Sequence, residues 1–250
     1  MNQIYHLPHP LVFAHRGASA HAPENTLAAF RMAQEQGAPA IEMDAKLSAD
    51  GEVVIIHDTS VDRTCNGRGK VKNLTLEELR RLDAGSFFSP YYHSERIPTL
   101  TEVLEQFGGR IYLNIELTNY SSPLDHLPEK VAALVTRYAL LDWVLFSSFN
   151  LLNLVRIRQV LPQAVVAILA LPGKRGWLAR GALGRLAAPG FLHVFHQDAT
   201  YKLCQRQHHL KRKVYAWTVN EIAEMRRLLS INVDGIFTDD PQKALEILKV

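Results

Sequence analysis

The sequence is short of cysteine. It holds two, Cys65 and Cys204, far apart and in no metal-like or redox-like spacing. That argues against a disulfide scaffold and suits a reducing compartment. Long apolar runs are also missing. The opening stretch "MNQIYHLPHPLVFAHRG" has no basic segment leading into an apolar one, and its only apolar run, 11–14, is too short for a secretion signal. No window approaches the roughly 20 apolar residues of a membrane span. A soluble cytoplasmic chain, without stable membrane insertion, is therefore expected. A strong charge of either sign is absent too. The net charge of +3 suits an anionic small molecule but is too weak to argue for nucleic acid. The aromatic spacing supplies no stacking surface for bases either.

What is present is alternation. Aliphatic or β-branched runs fall at 11–15, 40–47, 53–57, 111–117, 143–149, 164–170, 191–195, 213–219 and 235–238. Helical patterns fall between most of them, at 26–36, 76–82, 100–107, 127–138, 150–160, 202–209, 221–229 and 241–248. Asn25 and Asn220 read as N-caps, and Thr75 with Glu78 as a capping box. Strands alternating with helices imply a parallel sheet covered by helices. About eight such units in a chain of this length suggest a (β/α)8 TIM barrel, whose usual size is roughly 250 residues. A doubly wound open sheet is the runner-up. The ninth strand, 53–57, follows 40–47 after only "SADGE", too short for a parallel crossover. Asp50-Gly51 signals a hairpin, so 53–57 should fold back antiparallel. The expected organisation is one distorted barrel domain, 1–250, with an insertion at about 58–99. The Gly-, Arg- and Leu-rich stretch 171–190 reads as a loop with an irregular helix and solvated arginines. A lid over an anionic substrate and an element touching a membrane surface are its alternatives.

In a parallel barrel, ligands bind at the carboxyl ends of the strands. There the sequence places His15-Arg16, Glu42 with Asp44, His57-Asp58, Glu116, Trp217 and Thr238-Asp239-Asp240. Glu42 and Asp44 are two apart and share a face. A turn centred near Ala49-Asp50 puts position 42 opposite about position 57, which brings His57 to the carboxylates. Buried carboxylates side by side need a shared proton, a cationic side chain or a metal ion. For any single one, an ion pair with Arg16 would suffice. Glu42, Asp44 and Glu116 together, with no cysteine among them, favour one hard divalent cation, Mg²⁺ or Ca²⁺. His15 and His57 are candidate acid and base. The planar fork of Arg16 fits a phosphoryl oxygen pair. The set points to phosphoryl chemistry with acid–base assistance.

The segments "AHRGASAHAPENTLAAF", "IEMDAKLSADGEVVIIHD", "RTCNGRG", "LTLEELRRLDAGSFFS", "RIPTLTEVL", "NIEL", "SSF", "YAWTVN" and "GIFTDDP" occur in one order over nearly the whole chain. In that order the sequence resembles the glycerophosphodiester phosphodiesterase family. The resemblance implies a distorted TIM barrel with a small insertion after His57. It implies hydrolysis of glycerophosphodiesters, small-molecule substrates, to sn-glycerol 3-phosphate and an alcohol. Carried over residue by residue, it gives Glu42, Asp44 and Glu116 as metal ligands and His15 and His57 as the acid–base pair. It gives Arg16 as a phosphate binder and Trp217 as a wall of the substrate site, while the Pro23–Thr26 stretch shapes the first loop. One departure stands out. The family commonly has lysine two residues after the last metal glutamate, where this chain has Thr118. Arginines of 171–190 would be one source of the missing charge. Two alternatives accompany the main reading. One is a lysophospholipase D-type enzyme with an apolar mouth from Trp177, Phe87, Phe88, Tyr91 and Tyr92. The other is a degenerate barrel without activity.

Overall fold

In the computed structural model, residues 1–188 and 190–248 are described. The strands are β1 (Leu11–Ala14), β2 (Ala40–Leu47), β3 (Val53–Ile55), β4 (Tyr112–Leu117), β5 (Val144–Ser148), β6 (Val165–Ala170), β7 (Phe191–Phe195), β8 (Lys213–Trp217) and β9 (Gly235–Thr238). β1 pairs in parallel with both β9 and β2, which closes the sheet. Eight parallel strands thus form the (β/α)8 barrel. β3 stands outside it as the antiparallel partner of β2.

Parallel strands covered on both faces read as almost continuous apolar runs, and the period of two decides which residue faces where. Phe13, Ala40, Tyr112, Leu145, Ala167, Phe191, Tyr215 and Phe237 pack together inside the barrel, joined by Ile4 of the N-terminal turn Gln3–Tyr5. Their neighbours Val12, Ile41, Met43, Leu113 and Ile115 belong to the layer between barrel and helices. Counting two onward from the inward set gives His15, Glu42, Asp44, Asn114, Glu116, His193 and Trp217. The barrel therefore changes from apolar to polar within one layer of side chains.

β3 divides its residues in the same way. Val53 and Ile55 join the main core. Val54, with Ile56 just beyond, joins Val61, Val71, Leu79, Ala84 and Ile97 in a separate cluster under the 58–99 stretch. The capping box of Thr75 and Glu78 is present at the start of the helix Leu76–Arg80. A second one, Thr99 with Glu102, opens the helix Leu100–Phe107.

The two asparagine caps are corrections. Thr26 caps the helix Leu27–Glu35, its hydroxyl accepting from Ala29 N–H. Glu221 precedes the helix Ile222–Ser230 and makes no side-chain cap bond. Both asparagines hold carboxylates instead, as described below. The 171–190 stretch, apart from Pro189, which lies outside the described residues, contains the 3₁₀ turn Gly173–Gly176 and two short helices, Trp177–Arg180 and Ala182–Ala187.

Candidate active site

β2 and β4 lie side by side, with Glu42 level with Asn114 and Asp44 level with Glu116. Oxygens of Glu42, Asp44 and Glu116 all lie within 4.8 Å of one another. They open into a cleft at the mouth of the barrel, together with His15, Arg16, His57 and Trp217.

The three carboxylates are not equivalent. Burial, then the charges of Asp44 and Glu116, push the Glu42 carboxyl well above its usual range. Burial and Asp44 push Glu116 to about 8. Burial works the same way on Asp44, but Arg16, His57 and a hydrogen bond from Asn25 outweigh it and hold that carboxyl below the ordinary value. The Arg16 guanidinium lies against Asp44, so burial and mutual repulsion are offset most at that acid and least at Glu42 and Glu116. A further buried oxygen, Asn114 Oδ1, belongs to a residue lining the same cleft and has no hydrogen-bond partner among the described residues. This all-oxygen set fits a hard divalent cation.

Arg16 sits at the turn after β1 in a left-handed conformation, φ 57°, followed by Gly17 at φ 84°. A side chain on Gly17 would fall 2.6 Å from the carbonyl carbon of Ala29, so glycine lets the first helix approach the turn. The turn aims the Arg16 N–H at Glu42 Oε2 (3.0 Å). Its Nη1 donates to Glu24 (3.0 Å), and its Nε lies 3.3 Å from Asp44 without hydrogen-bond alignment. Asn25 donates from Nδ2 to Asp44 Oδ2 (2.9 Å) and accepts from the Asp44 N–H (3.3 Å).

Each histidine has a carboxylate partner. His15 Nδ1 is 2.7 Å from Asp239 Oδ1, and its Nε2 lies 4.0 Å from Glu42. Asp239 also accepts from Ser19 Oγ (3.1 Å) and Asn220 Nδ2 (2.6 Å). His57 Nδ1 is 2.6 Å from Asp58 Oδ1. Arg63 donates to Asp58 (2.7 Å from Nε) and forks onto Glu24 (2.7 and 2.8 Å). Glu24 bonds Arg16 in turn, so one chain of charges runs from His57 to the carboxylate cluster.

All seven residues singled out in the sequence line the one cleft. The hairpin register differs by one from the expected pairing. Ala45 opposes Ile55 and Leu47 opposes Val53, so position 43, not 42, would face 57. A slip of one ordinarily sends a side chain to the wrong face. Here the paired strand ends at Ile55, with a last bond from Ile56 N–H to Asp44 C=O (2.9 Å). His57 lies beyond the ladder and turns into the cleft. Asp239, Asp58, Arg63, Glu24 and Phe149 went unassigned in the sequence. Asp239 and Asp58 are themselves among the strand-end residues read from the sequence, which gave them no role. Nothing local points to Arg63.

The aromatic lining comes from Phe149 and Trp217, whose rings meet edge-on at 5.5 Å. Trp217 Nε1 is buried without a partner. Trp177, Phe87, Phe88, Tyr91 and Tyr92 do not line the cleft. A lysine of the neighbouring strand is bonded to Thr118, although it does not line the cleft. Lys46, buried on β2, donates from Nζ to Thr118 C=O (2.9 Å) and Oγ1 (2.7 Å). None of the 171–190 arginines lines the cleft.

Residues 15–243 match the model of the glycerophosphoryl diester phosphodiesterase family. The chain belongs to that family. A glycerophosphodiester phosphodiesterase of Caldanaerobacter subterraneus is 38% identical over 240 residues, 96% of this chain and 98% of the relative. A Bacillus subtilis protein named as a putative enzyme of the same kind is 37% identical, covering 92% and 94%. Among solved structures, an Oleispira antarctica phosphodiesterase in complex with its product sn-glycerol-3-phosphate superposes with a TM-score of 0.84 at 34% identity, over the full length of both chains. No helix among the described residues is long and apolar enough to cross a membrane.

Proposed function

We propose that this chain hydrolyses glycerophosphodiesters to sn-glycerol 3-phosphate and an alcohol, with residues 1–250 acting as one catalytic domain and 58–99 as an insertion. The observation that carries the reading is the convergence of two histidine–carboxylate pairs on a buried carboxylate triad. Family membership and the product-bound relative support it.

Glu42, Asp44 and Glu116 would hold one divalent cation, Mg²⁺ or Ca²⁺, which supplies positive charge against the phosphoryl oxygens. Arg16 adds a directional donor set on the same side. Its link to Glu24 and Arg63 fixes the guanidinium before substrate arrives, so little reorganisation is needed during reaction. Asp239 and Asp58 would each fix the orientation of one imidazole. One histidine takes the nucleophile's proton, and the other protonates the leaving alkoxide. Trp217 and Phe149 wall the cleft, and the free Nε1–H of Trp217 is left to donate to a substrate oxygen. Lys46 supplies the charge that Thr118 does not. The nucleophile is the substrate's own 2-hydroxyl or water. A cyclic glycerol phosphate during turnover identifies the first.

The deciding experiment assays a panel of glycerophosphodiesters with EDTA, Mg²⁺ or Ca²⁺, following glycerol 3-phosphate. Release is expected with one of the two ions and abolished by EDTA. No release from any member of the panel overturns the proposal.

A further inference from the structure

The 171–188 segment, between β6 and β7, reverses the usual disposition of a surface helix. Its buried residues are small: Gly176, Ala179, Gly184, Ala187 and Ala188. Its large apolar residues point outward. Leu171, Trp177, Leu178, Leu183 and Leu186 are exposed, Trp177 by 66% and Leu186 by 74%. The backbone enforces this. A Cβ on Gly184 would sit 2.0 Å from the carbonyl oxygen of Ala179, and one on Gly176 would sit 2.1 Å from that of Leu171. Arg212, fully buried, donates to the carbonyls of Ala179 and Gly184 (3.3 Å each) and so pins both short helices to the barrel. With no room beneath, the large side chains are held in water. Exposed apolar residues scattered singly need no explanation, but a contiguous group does.

The same segment is basic. Residues 171–190 contain Lys174, Arg175, Arg180 and Arg185 and no acid. Arg180 pairs with Asp198 (2.8 Å). Lys174, Arg175 and Arg185 are exposed and form no ion pair among the described residues. Arg185 shares a groove with Lys202 and Arg206, and no carboxylate lines it. Leu183 and Leu186, one helical turn apart, flank this groove-lining arginine in sequence.

We propose that this face docks the protein onto an anionic phospholipid surface. Trp177, Leu183 and Leu186 enter the headgroup boundary, while the unpaired cations meet lipid phosphates. Aromatic and leucine side chains beside free basic residues are the composition that lies in such an interface. A second copy of the chain fits worse, because a self-complementary contact would set one basic face against another. The segment follows Ala170 at the end of β6, and Leu169 lines the cleft, so docking would bring the barrel mouth towards the lipid. This docking stands independently of the proposed reaction.

The test is co-sedimentation of the full chain with vesicles of phosphatidylcholine alone and of an equimolar mixture with phosphatidylglycerol. Binding only to the mixed vesicles, lost at high salt, is expected. Each basic residue should contribute about fivefold, so Lys174→Glu/Arg175→Glu should weaken binding by more than tenfold. Trp177→Ser/Leu186→Ser should abolish it. Neither variant should change turnover of a water-soluble glycerophosphodiester, which also reports that each is folded. Failure of the unaltered chain to bind mixed vesicles overturns the proposal. So does equal binding by the charge-reversed variant, or self-association that the Trp177→Ser/Leu186→Ser variant removes in the absence of lipid.

Discussion

The two histidines of the cleft are held in different ways. His15 ends a barrel strand, its side chain 19% exposed, and its partner Asp239 follows the adjacent strand. Closing the barrel is enough to bring the two together. His57 lies past the end of a hairpin, 43% exposed, and depends on Asp58, Arg63 and Glu24, all outside the strands. One member of the pair is set by the sheet and the other by a surface network braced against Arg16. The difference teaches that the barrel alone places one histidine–carboxylate pair, while the other needs the loops around it.

The largest expected effects fall on the histidines themselves. His15→Ala and His57→Ala should each lower kcat by about 10²- to 10⁴-fold, while Mg²⁺ or Ca²⁺ binding by calorimetry stays close to that of the unaltered protein. Near-normal turnover in both would remove the acid–base assignment. Next come the supports. Groups that only orient a reacting side chain are worth about 10- to 100-fold, and Asp239→Asn and Asp58→Asn should fall in that range on kcat. Arg63→Ala should lie at or below its lower end, and should cost less in a His57→Ala background, where only its hold on Arg16 through Glu24 is left. An additive loss there would mean that Arg63 acts other than through His57.

The ground between the histidines gives a smaller, pH-dependent effect. Glu116 titrates at about 8 in the folded chain against an ordinary 4.5, so folding favours its protonated form. The sign follows from linkage. This contribution to the stability of the metal-free protein is fully present below pH 4.5 and is lost as pH rises to about 8. Relative to Glu116→Gln, the metal-free protein should therefore lose thermal stability across that window. A cation bound at the proposed site would displace the same protons, so its affinity should rise with pH over the same range. A flat difference between the two proteins would contradict the protonated assignment. The smallest expected change concerns Lys46. Lys46→Gln should raise KM several-fold, in line with about 1 kcal/mol for a partly compensated charge, and adding Thr118→Lys should restore it. Unchanged KM in Lys46→Gln would leave Lys46 a purely structural lysine.

Much of this was legible in the sequence, because the barrel follows from alternation and the inward-facing residues from a count of two. Glu42, Asp44 and Glu116 interrupt strands that are otherwise apolar, and interruption is a local signal. The one-residue error in the hairpin arose because the turn spans 48–52, with Ser48 N–H bonded to Glu52 C=O and Asp50 accepting from Leu76 N–H. That last contact is made 26 residues away and leaves no trace in "SADGE". Asn25 and Asn220 were misread for a related reason. Each precedes a helix, as a cap does, yet each side chain reaches across the barrel rim to a carboxylate, Asp44 for one and Asp239 for the other. Local spacing cannot separate a side chain that turns back to its own helix from one that reaches to another strand. Lys46 shows the same limit: its bonds to Thr118 follow from the pairing of β2 with β4, which no local spacing reveals.

The split faces of β3 also bear on the order in which the molecule matures. Val53 and Ile55 belong to the barrel, and Val54 and Ile56 to the 58–99 cluster, so this short strand is a splint between two hydrophobic bodies. His57 follows this splint immediately, so its position depends on the packing of both bodies. The chain can thus close its barrel, seat His15 and assemble its carboxylates while catalysis still waits on a second packing event. An inactive but compact species should therefore precede the working enzyme during refolding, and a protease cut within 58–99 should regenerate that species without opening the barrel.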